Sequence, residues 1–347
     1  MHPACGEGSL LRFNSRTWLY HYHCFELSTD GARNHLLQRQ RDRYGMGFDT
    51  LDLRFFLSAR AFGFDGDSIC TLGRLTLFAT QSEINQILRE HGRDPVRLPE
   101  HKGQYFVDDL LPLLGISTVD SLDYSSFEGA TIVHDLNQPI PTELHHRYDL
   151  VLDGGTLEHV FNFPTALWNA MKLLKVGGHL MIRTPANNQC GHGFYQFSPE
   201  LFFSALSPEN GFKLERIYIT GKGGPYHVID PATVHRRVEL LSGDVAYLMV
   251  HAKKINNGPA NLVSPQQSDY VETWEASTAI KPDVGLKSPA RRLLSASQIA
   301  FISRMLNHWR QKLAVRRWRT GSNLGNRSFY IPVTRWDIPS SEAKHQN

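Results

Sequence analysis

The sequence predicts an α/β fold: a doubly wound, mostly parallel seven-stranded sheet with an antiparallel edge strand, flanked by helical terminal extensions. Three observations predict it. From residue 67 to residue 254 short apolar runs alternate with helical stretches, as in a parallel sheet covered on both faces. Four consecutive strand candidates run into glycine or aspartate, where open α/β sheets bind ligands. Two late strand-like runs, 212–220 and 245–254, lack a full-length helix between them, which suits an antiparallel pair at one edge.

Taken in order, DSICTL (67–72) is the first strand and ends at Gly73. Thr80 and Glu83 form a T-x-x-E capping box, so a helix starts there and runs to about His91. A second helix, 105–114, stops at Gly115, a residue suited to a left-handed cap. Residues 119–123 are the second strand and 130–134 the third. YDLVL (148–152) has the near-continuous apolar character of a strand buried on both faces and ends in Asp153, Gly154 and Gly155. Pro164 opens a helix that Gly177 and Gly178 close, and 179–183 is the fifth strand.

Length and composition frame this core. The 347 residues suit about two domains or one large domain with appendages, and 41% hydrophobic with 20% charged residues exclude wholesale disorder. No apolar run reaches the roughly 18 to 20 residues of a membrane-spanning helix, and the first residues lack a signal-peptide layout, so a cytoplasmic location is expected. Cys5, Cys24, Cys70 and Cys190 lie far apart, which predicts neither a disulfide framework nor a thiolate zinc site. His21, His23 and Cys24 lack a complementary pair, and no metal site is predicted.

Four segments follow: a lead-in over 1–66, the main domain over 67–254, an Asn/Pro/Ser/Gly-rich linker over 255–288, and a basic extension over 289–347. Within the lead-in, 35–44 and 50–62 are candidate short helices. Eleven basic and no acidic residues lie between Asp283 and Asp337, so the overall charge of +3 leaves −8 for the remainder. Apolar residues recur along 289–320 at helical steps with Trp309 and Trp318. Three readings stay open for that helix: a solvated face packed on the domain or a partner, peripheral contact with an anionic membrane, and, ranked last, nucleic acid.

The strand ends carry the chemistry. Asp123, ending the second strand, can accept from both hydroxyls of a ribose. Asp135 can meet an adenine amino group with Leu136 against the base, and Gly73 and the Asp153-Gly154-Gly155 turn complete the set. Each alone could equally be a surface turn or a helix cap.

Three segments together resemble a known family: YDLVLDGGTLEHVFNFPTALWNAMKLLKVGGHLMIRTP (148–185), HDLNQPIP (134–141) and HGFYQFSPELFF (192–203). They are similar to the class I S-adenosylmethionine-dependent methyltransferases, especially the small-molecule group labelled type 11, over roughly 67–254. The resemblance implies a Rossmann-like domain with S-adenosylmethionine held by Gly73, Asp123, Asp135, Leu136, Asp153, Gly154 and Gly155. It implies methyl transfer to a small-molecule or glycan-type acceptor. Such transfer needs an aligned acceptor and, for oxygen or nitrogen, a base. His159 is the first candidate base, with Glu158 and His192 beside it; Tyr195, Gln196 and Asn187 are candidate acceptor contacts. Each has a plain structural alternative, such as a helix cap, a packed imidazole or a turn.

The chain departs from the family at the first loop. A D-x-G-x-G-x-G turn is expected, but the sequence reads TLGRLTLFA, with Gly73 alone and Thr71 at the acidic position. Either the loop holds the cofactor differently, through Arg74 or Thr76, or the domain has become a noncatalytic binding or scaffold module acting through its basic extension. No G-x-G-x-x-G follows a strand, which leaves a nicotinamide enzyme only as a fold-level alternative.

Overall fold

The structure is a computed structural model that describes residues 47–100, 103–221, 223–279 and 321–336, with 304–305, 309, 311–313 and 315–316. The candidate helix at 35–44, the His21/His23/Cys24 group and most of the basic 289–320 stretch lie outside the described residues.

The strands are β1 (Ser68–Leu72), β2 (Thr118–Asp123), β3 (Ile132–Val133), β4 (Tyr148–Asp153), β5 (Leu174–Asn187), β6 (Phe212–Gly221), β7 (Gly224–Val228), β8 (Ala246–Lys254) and β9 (Tyr330–Pro332). They form one sheet in the order β3-β2-β1-β4-β5-β8-β6-β7-β9. The first five pair in parallel. β8 runs antiparallel to both β5 and β6, so the reversed strand lies inside the sheet, flanked on both sides. Two strands extend the predicted seven: β7, a hairpin partner of β6, and β9, supplied by the basic extension and antiparallel to β7. Phe329 and Tyr330, at 1% exposure each, anchor β9 in the core. The last segment therefore belongs in part to the domain.

Helices cover both faces. α1 (Thr50–Ser58), α2 (Gln81–Glu90) and α3 (Val107–Leu110) lie on one; α4 (Phe163–Leu173) and α5 (Pro199–Ala205) lie on the other. α2 starts at the predicted capping box, where Glu83 accepts from the Thr80 backbone N–H at 2.9 Å and Thr80 accepts from that of Glu83. Gly115 takes the predicted left-handed conformation (φ 92°), after a 3₁₀ turn at Leu111–Leu114 that shortens the expected helix. α1 belongs to the core: Leu53, Phe55, Phe56 and Leu57 pack with Ile69, Leu150 and Met181 of the sheet.

Two boundaries differ from expectation. α4 ends at Leu173, and β5 begins at Leu174, so Gly177 and Gly178 lie within the strand. The exposed helix carbonyls find donors elsewhere: the backbone N–H groups of His146 and Arg147 reach the Lys172 and Leu173 carbonyls. The Lys254 ammonium donates to the Met171 and Leu174 carbonyls, which fixes the helix end without glycine. α6 (Pro231–Val234) precedes β8, and the 255–288 stretch, expected as a linker, carries the helix α7 (Ser268–Ala279). The backbone leading into it is tied to the domain through Ile255 to the Gly211 carbonyl, Val263 to Asn210 and Ser268 to Glu200. No described helix is long and apolar enough to cross a membrane.

Candidate active site

The carboxyl ends of β1, β2 and β4 meet at Gly73. Its φ of 72° is the left-handed conformation, and a Cβ there would lie 2.8 Å from Thr156 Oγ1 and 3.8 Å from Asp123 Oδ2. Thr156 donates to the Leu72 carbonyl at 2.8 Å, and Asp153 Oδ1 accepts from the Thr156 N–H at 2.9 Å. Asp153 is fully buried, its Oδ2 has no hydrogen-bond partner, and burial followed by the Glu158 charge pushes its pKa up. The Asp123 carboxylate accepts from the Ser125 N–H at 3.3 Å, and Asp135 accepts from the backbone and side chain of Asn137. The sheet thus brings Gly73, Asp123 and the Asp153 turn together. Leu136, at 5% exposure, packs into the core beside the sheet.

The loop after β1 is where the missing glycines tell. Thr71 donates to the Gly73 carbonyl at 2.7 Å and tightens the turn that glycines would otherwise form. Leu75 and Leu77 are buried, and the loop is sandwiched by backbone bonds from Phe48 to Thr76, Leu77 to Tyr105 and Val107 to Leu75. Leu75 fills the space above Gly154, where an added Cβ would stand 3.0 Å from both of its methyls. Arg74 crosses toward β2 and β3: it donates to both Asp108 oxygens (3.1 and 2.7 Å to Oδ2) and to the Glu128 carbonyl (2.7 Å), over the Phe106 ring. A cavity of about 10 Å³ lies between Phe48, Phe55, Leu152, Asp153, Gly154 and Met181, room for about one water. Drug-sized ligands need roughly 300 Å³ or more. The 73–77 segment thus forms a strap packed over Gly154. Thr76 forms part of that strap; its hydroxyl accepts from Gln104.

A second group closes the site from the amino side. Asp49 and Asp52 of the α1 capping box both accept from Arg183 Nη1 on β5. Asp52 is fully buried and its pKa is raised to about 7, by burial first and then despite Arg183 by the Asp49 charge. Asp49, although burial opposes it, is held low by the Arg183 guanidinium and by backbone N–H donors. One carboxylate thus keeps the ionised role opposite Arg183.

The predicted catalytic residues do converge. The 3₁₀ turn Leu157–His159 follows β4 and presents Glu158, at 0% exposure, inward and His159 outward. The 192–196 loop folds onto this turn because the N–H groups of Phe194 and Tyr195 donate to the Glu158 carbonyl, which brings His192 Nε2 to 3.4 Å from Glu158 Oε1. His159 Nε2 lies 4.0 Å from the same oxygen, and the two imidazoles stack edge to face at 4.9 Å. Burial lowers the His159 pKa against the opposing pull of Glu158. Tyr195 donates to the Phe161 carbonyl at 2.6 Å, Gln196 accepts from the Gln189 N–H, and Asn187 accepts from the Asn188 N–H. These three shape the loop walls. Exposed Phe161 and Phe194 stand edge to face at 6.0 Å beside the histidines.

No protein-family profile matches the chain, and no curated protein matches it. Solved structures do. The Burkholderia thailandensis 1,6-didemethyltoxoflavin-N1-methyltransferase, with 1,6-didemethyltoxoflavin and S-adenosylhomocysteine bound, is 12% identical over 67% of this chain and 94% of its own, with a TM-score of 0.35. The trans-methyltransferase CalH with S-adenosylhomocysteine is 14% identical over 64% of this chain and 60% of its own, TM-score 0.34. The branched-chain polyamine synthase of Thermus thermophilus, with N4-aminopropylspermidine and 5'-methylthioadenosine, is 12% identical over 68% and 66%, TM-score 0.32. Likenesses this distant leave the functional reading to the site itself.

Proposed function

We propose that the chain is an S-adenosylmethionine-dependent methyltransferase acting on a small-molecule or glycan-type acceptor. One observation supports this most: carboxylates end β2 and β4 on either side of Gly73, and one of them keeps a buried oxygen, Asp153 Oδ2, without a partner. Asp123 would hold the ribose hydroxyls, Asp135 the adenine edge, and the Asp153-Gly154-Gly155 turn the amino-acid part. The cofactor supplies an already activated methyl group. The chain's task is to exclude water, align the acceptor and take its proton at the Glu158, His159 and His192 cluster, where His159 is the exposed member. Opening of the Arg74 strap is the step that admits the nucleoside.

Calorimetric titration with S-adenosylmethionine and S-adenosylhomocysteine tests the reading. Micromolar binding is expected, weakened about tenfold or more by Asp123→Ala, on the scale of about 1.5 to 3 kcal/mol for a hydrogen bond to a charged group. No binding of either ligand at millimolar concentration would overturn it in favour of the noncatalytic module.

A further inference from the structure

The cluster that follows β4 leaves two buried polar atoms facing each other without a hydrogen-bond partner. Glu158 is at 0% exposure; Oε2 accepts from Thr184 Oγ1 at 3.2 Å, but Oε1 has no hydrogen-bond donor. His192 Nε2, 3.4 Å away, is likewise buried and unpartnered, so the two atoms face each other without an aligned hydrogen bond. Leaving a carboxylate oxygen and an imidazole nitrogen in that condition is costly. The backbone nevertheless enforces it, through the bonds that pin 194 and 195 to the Glu158 carbonyl and the His192 N–H to the Gln189 carbonyl.

We propose that Glu158, His159 and His192 bind one divalent transition-metal cation of the zinc class. One ligand atom from each lies within 4.8 Å of the others, and this is the one such group of three among the described residues. Metal–ligand bonds of about 2.0 to 2.2 Å at a tetrahedral angle put neighbouring ligand atoms roughly 3.4 Å apart, the Glu158–His192 separation. His159 stands 4.0 Å from the same oxygen and its side chain is 42% exposed, so a small rotation completes the set. Two imidazoles and one carboxylate select zinc, iron or cobalt over magnesium and calcium, which take oxygen ligands. Three protein ligands would leave a coordination position open, and the exposed side of the cluster, at His159, carries the exposed Phe161 and Phe194 pair. An acceptor with an apolar ring and an adjacent oxygen or nitrogen donor would reach the cation there and have its pKa lowered by it, so that with the cation bound the cluster acts on the acceptor proton through the metal, the proton leaving to water, rather than by direct transfer to His159. That role rests on the methyltransferase reading; cation binding does not.

Full-length protein stripped with chelator and titrated with Co²⁺ tests the site by visible d–d absorption, with Zn²⁺ as competitor. Bands that Zn²⁺ abolishes, and an affinity lowered at least tenfold in both His192→Ala and Glu158→Gln, are expected; His134→Ala should bind as wild type. Far-UV circular dichroism of each variant separates ligand loss from unfolding, and His159→Ala, at an exposed position, is the variant to fall back on if Glu158→Gln does not fold. Absence of the bands, their survival in His159→Ala and His192→Ala, or displacement by equimolar Mg²⁺ would overturn the proposal. S-adenosylhomocysteine titration of the same samples distinguishes the two readings, since cation binding without it sinks only the methyltransferase, and the reverse result only the metal site.

Discussion

Gly193 lies against the Glu158 backbone so closely that a Cβ would stand 2.8 Å from the Glu158 carbonyl oxygen, and its φ of 69° is left-handed. The contact joins the turn after β4 to the loop that carries His192, with the neighbouring Phe194 N–H on the same carbonyl. Both close approach and backbone sign require glycine here.

Gly193→Ala should therefore destabilise the protein by about 1 to 3 kcal/mol and release the His192 loop. Urea denaturation reads the first effect. Proteolysis within 189–196 reads the second, and an unchanged cleavage rate would separate the loop from the turn.

The Arg74 strap predicts an affinity gain on deletion. On the proposed reading, admission of the nucleoside would cost Arg74 its bidentate pair with Asp108 and its bond to the Glu128 carbonyl. Arg74→Ala should bind S-adenosylhomocysteine about fivefold more tightly, on the scale of ~1 kcal/mol for a partly exposed pair. Weaker binding would instead make Arg74 a direct ligand contact.

Asp52 sets a pH dependence with a definite sign. Its folded pKa of about 7 lies above its ordinary value of 3.8, so the folded state holds an extra proton between them. Stability is then lost as pH rises through that window. Asp52→Asn removes this loss, and its stability relative to wild type should grow by on the order of 1 kcal/mol per pH unit between pH 5 and 7 and level off above. Parallel urea curves for the two proteins at pH 5, 6, 7 and 8 check it.

His227 works the other way. Buried at 3% exposure against Tyr218, it has its pKa lowered to about 4 by burial and then by Arg216. The unfolded chain binds a proton that the folded chain refuses between pH 6.5 and 4, so stability falls as pH falls. His227→Gln should flatten the acid limb of the stability profile by on the order of 1 kcal/mol per pH unit, and an unchanged limb would place the protonation elsewhere.

Local signals carried most of the core. The capping box at Thr80 and Glu83, the glycine after Leu114 and the apolar run of β4 each depend on a few neighbouring residues, and each is where the sequence places it. His159 is reached from a short turn after β4, whereas His192 joins Glu158 and His159 in the sequence reading only through the family resemblance of 192–203, and their proximity is a tertiary contact. What escaped reading is nonlocal. Arg183 finds Asp49 and Asp52 more than a hundred residues away, although the D-x-x-D box at 49–52 is itself a local signal. Leu75 replaces glycine-loop chemistry with packing, which only the position of Gly154 reveals. β9 escaped because three residues in a basic stretch show no periodicity, and its pairing is decided by the free edge of β7.

That last strand changes the mechanical character of the basic stretch. The chain is tied to the domain at Ser268 and again at 330–332, so the basic stretch between them is joined to the domain at both ends. Its reach is bounded by the distance between those ends and its contour length. Truncation before 330 would expose the β7 edge as well as remove positive charge, so loss of binding in such a truncation would have two causes that charge-neutralising substitutions alone can separate.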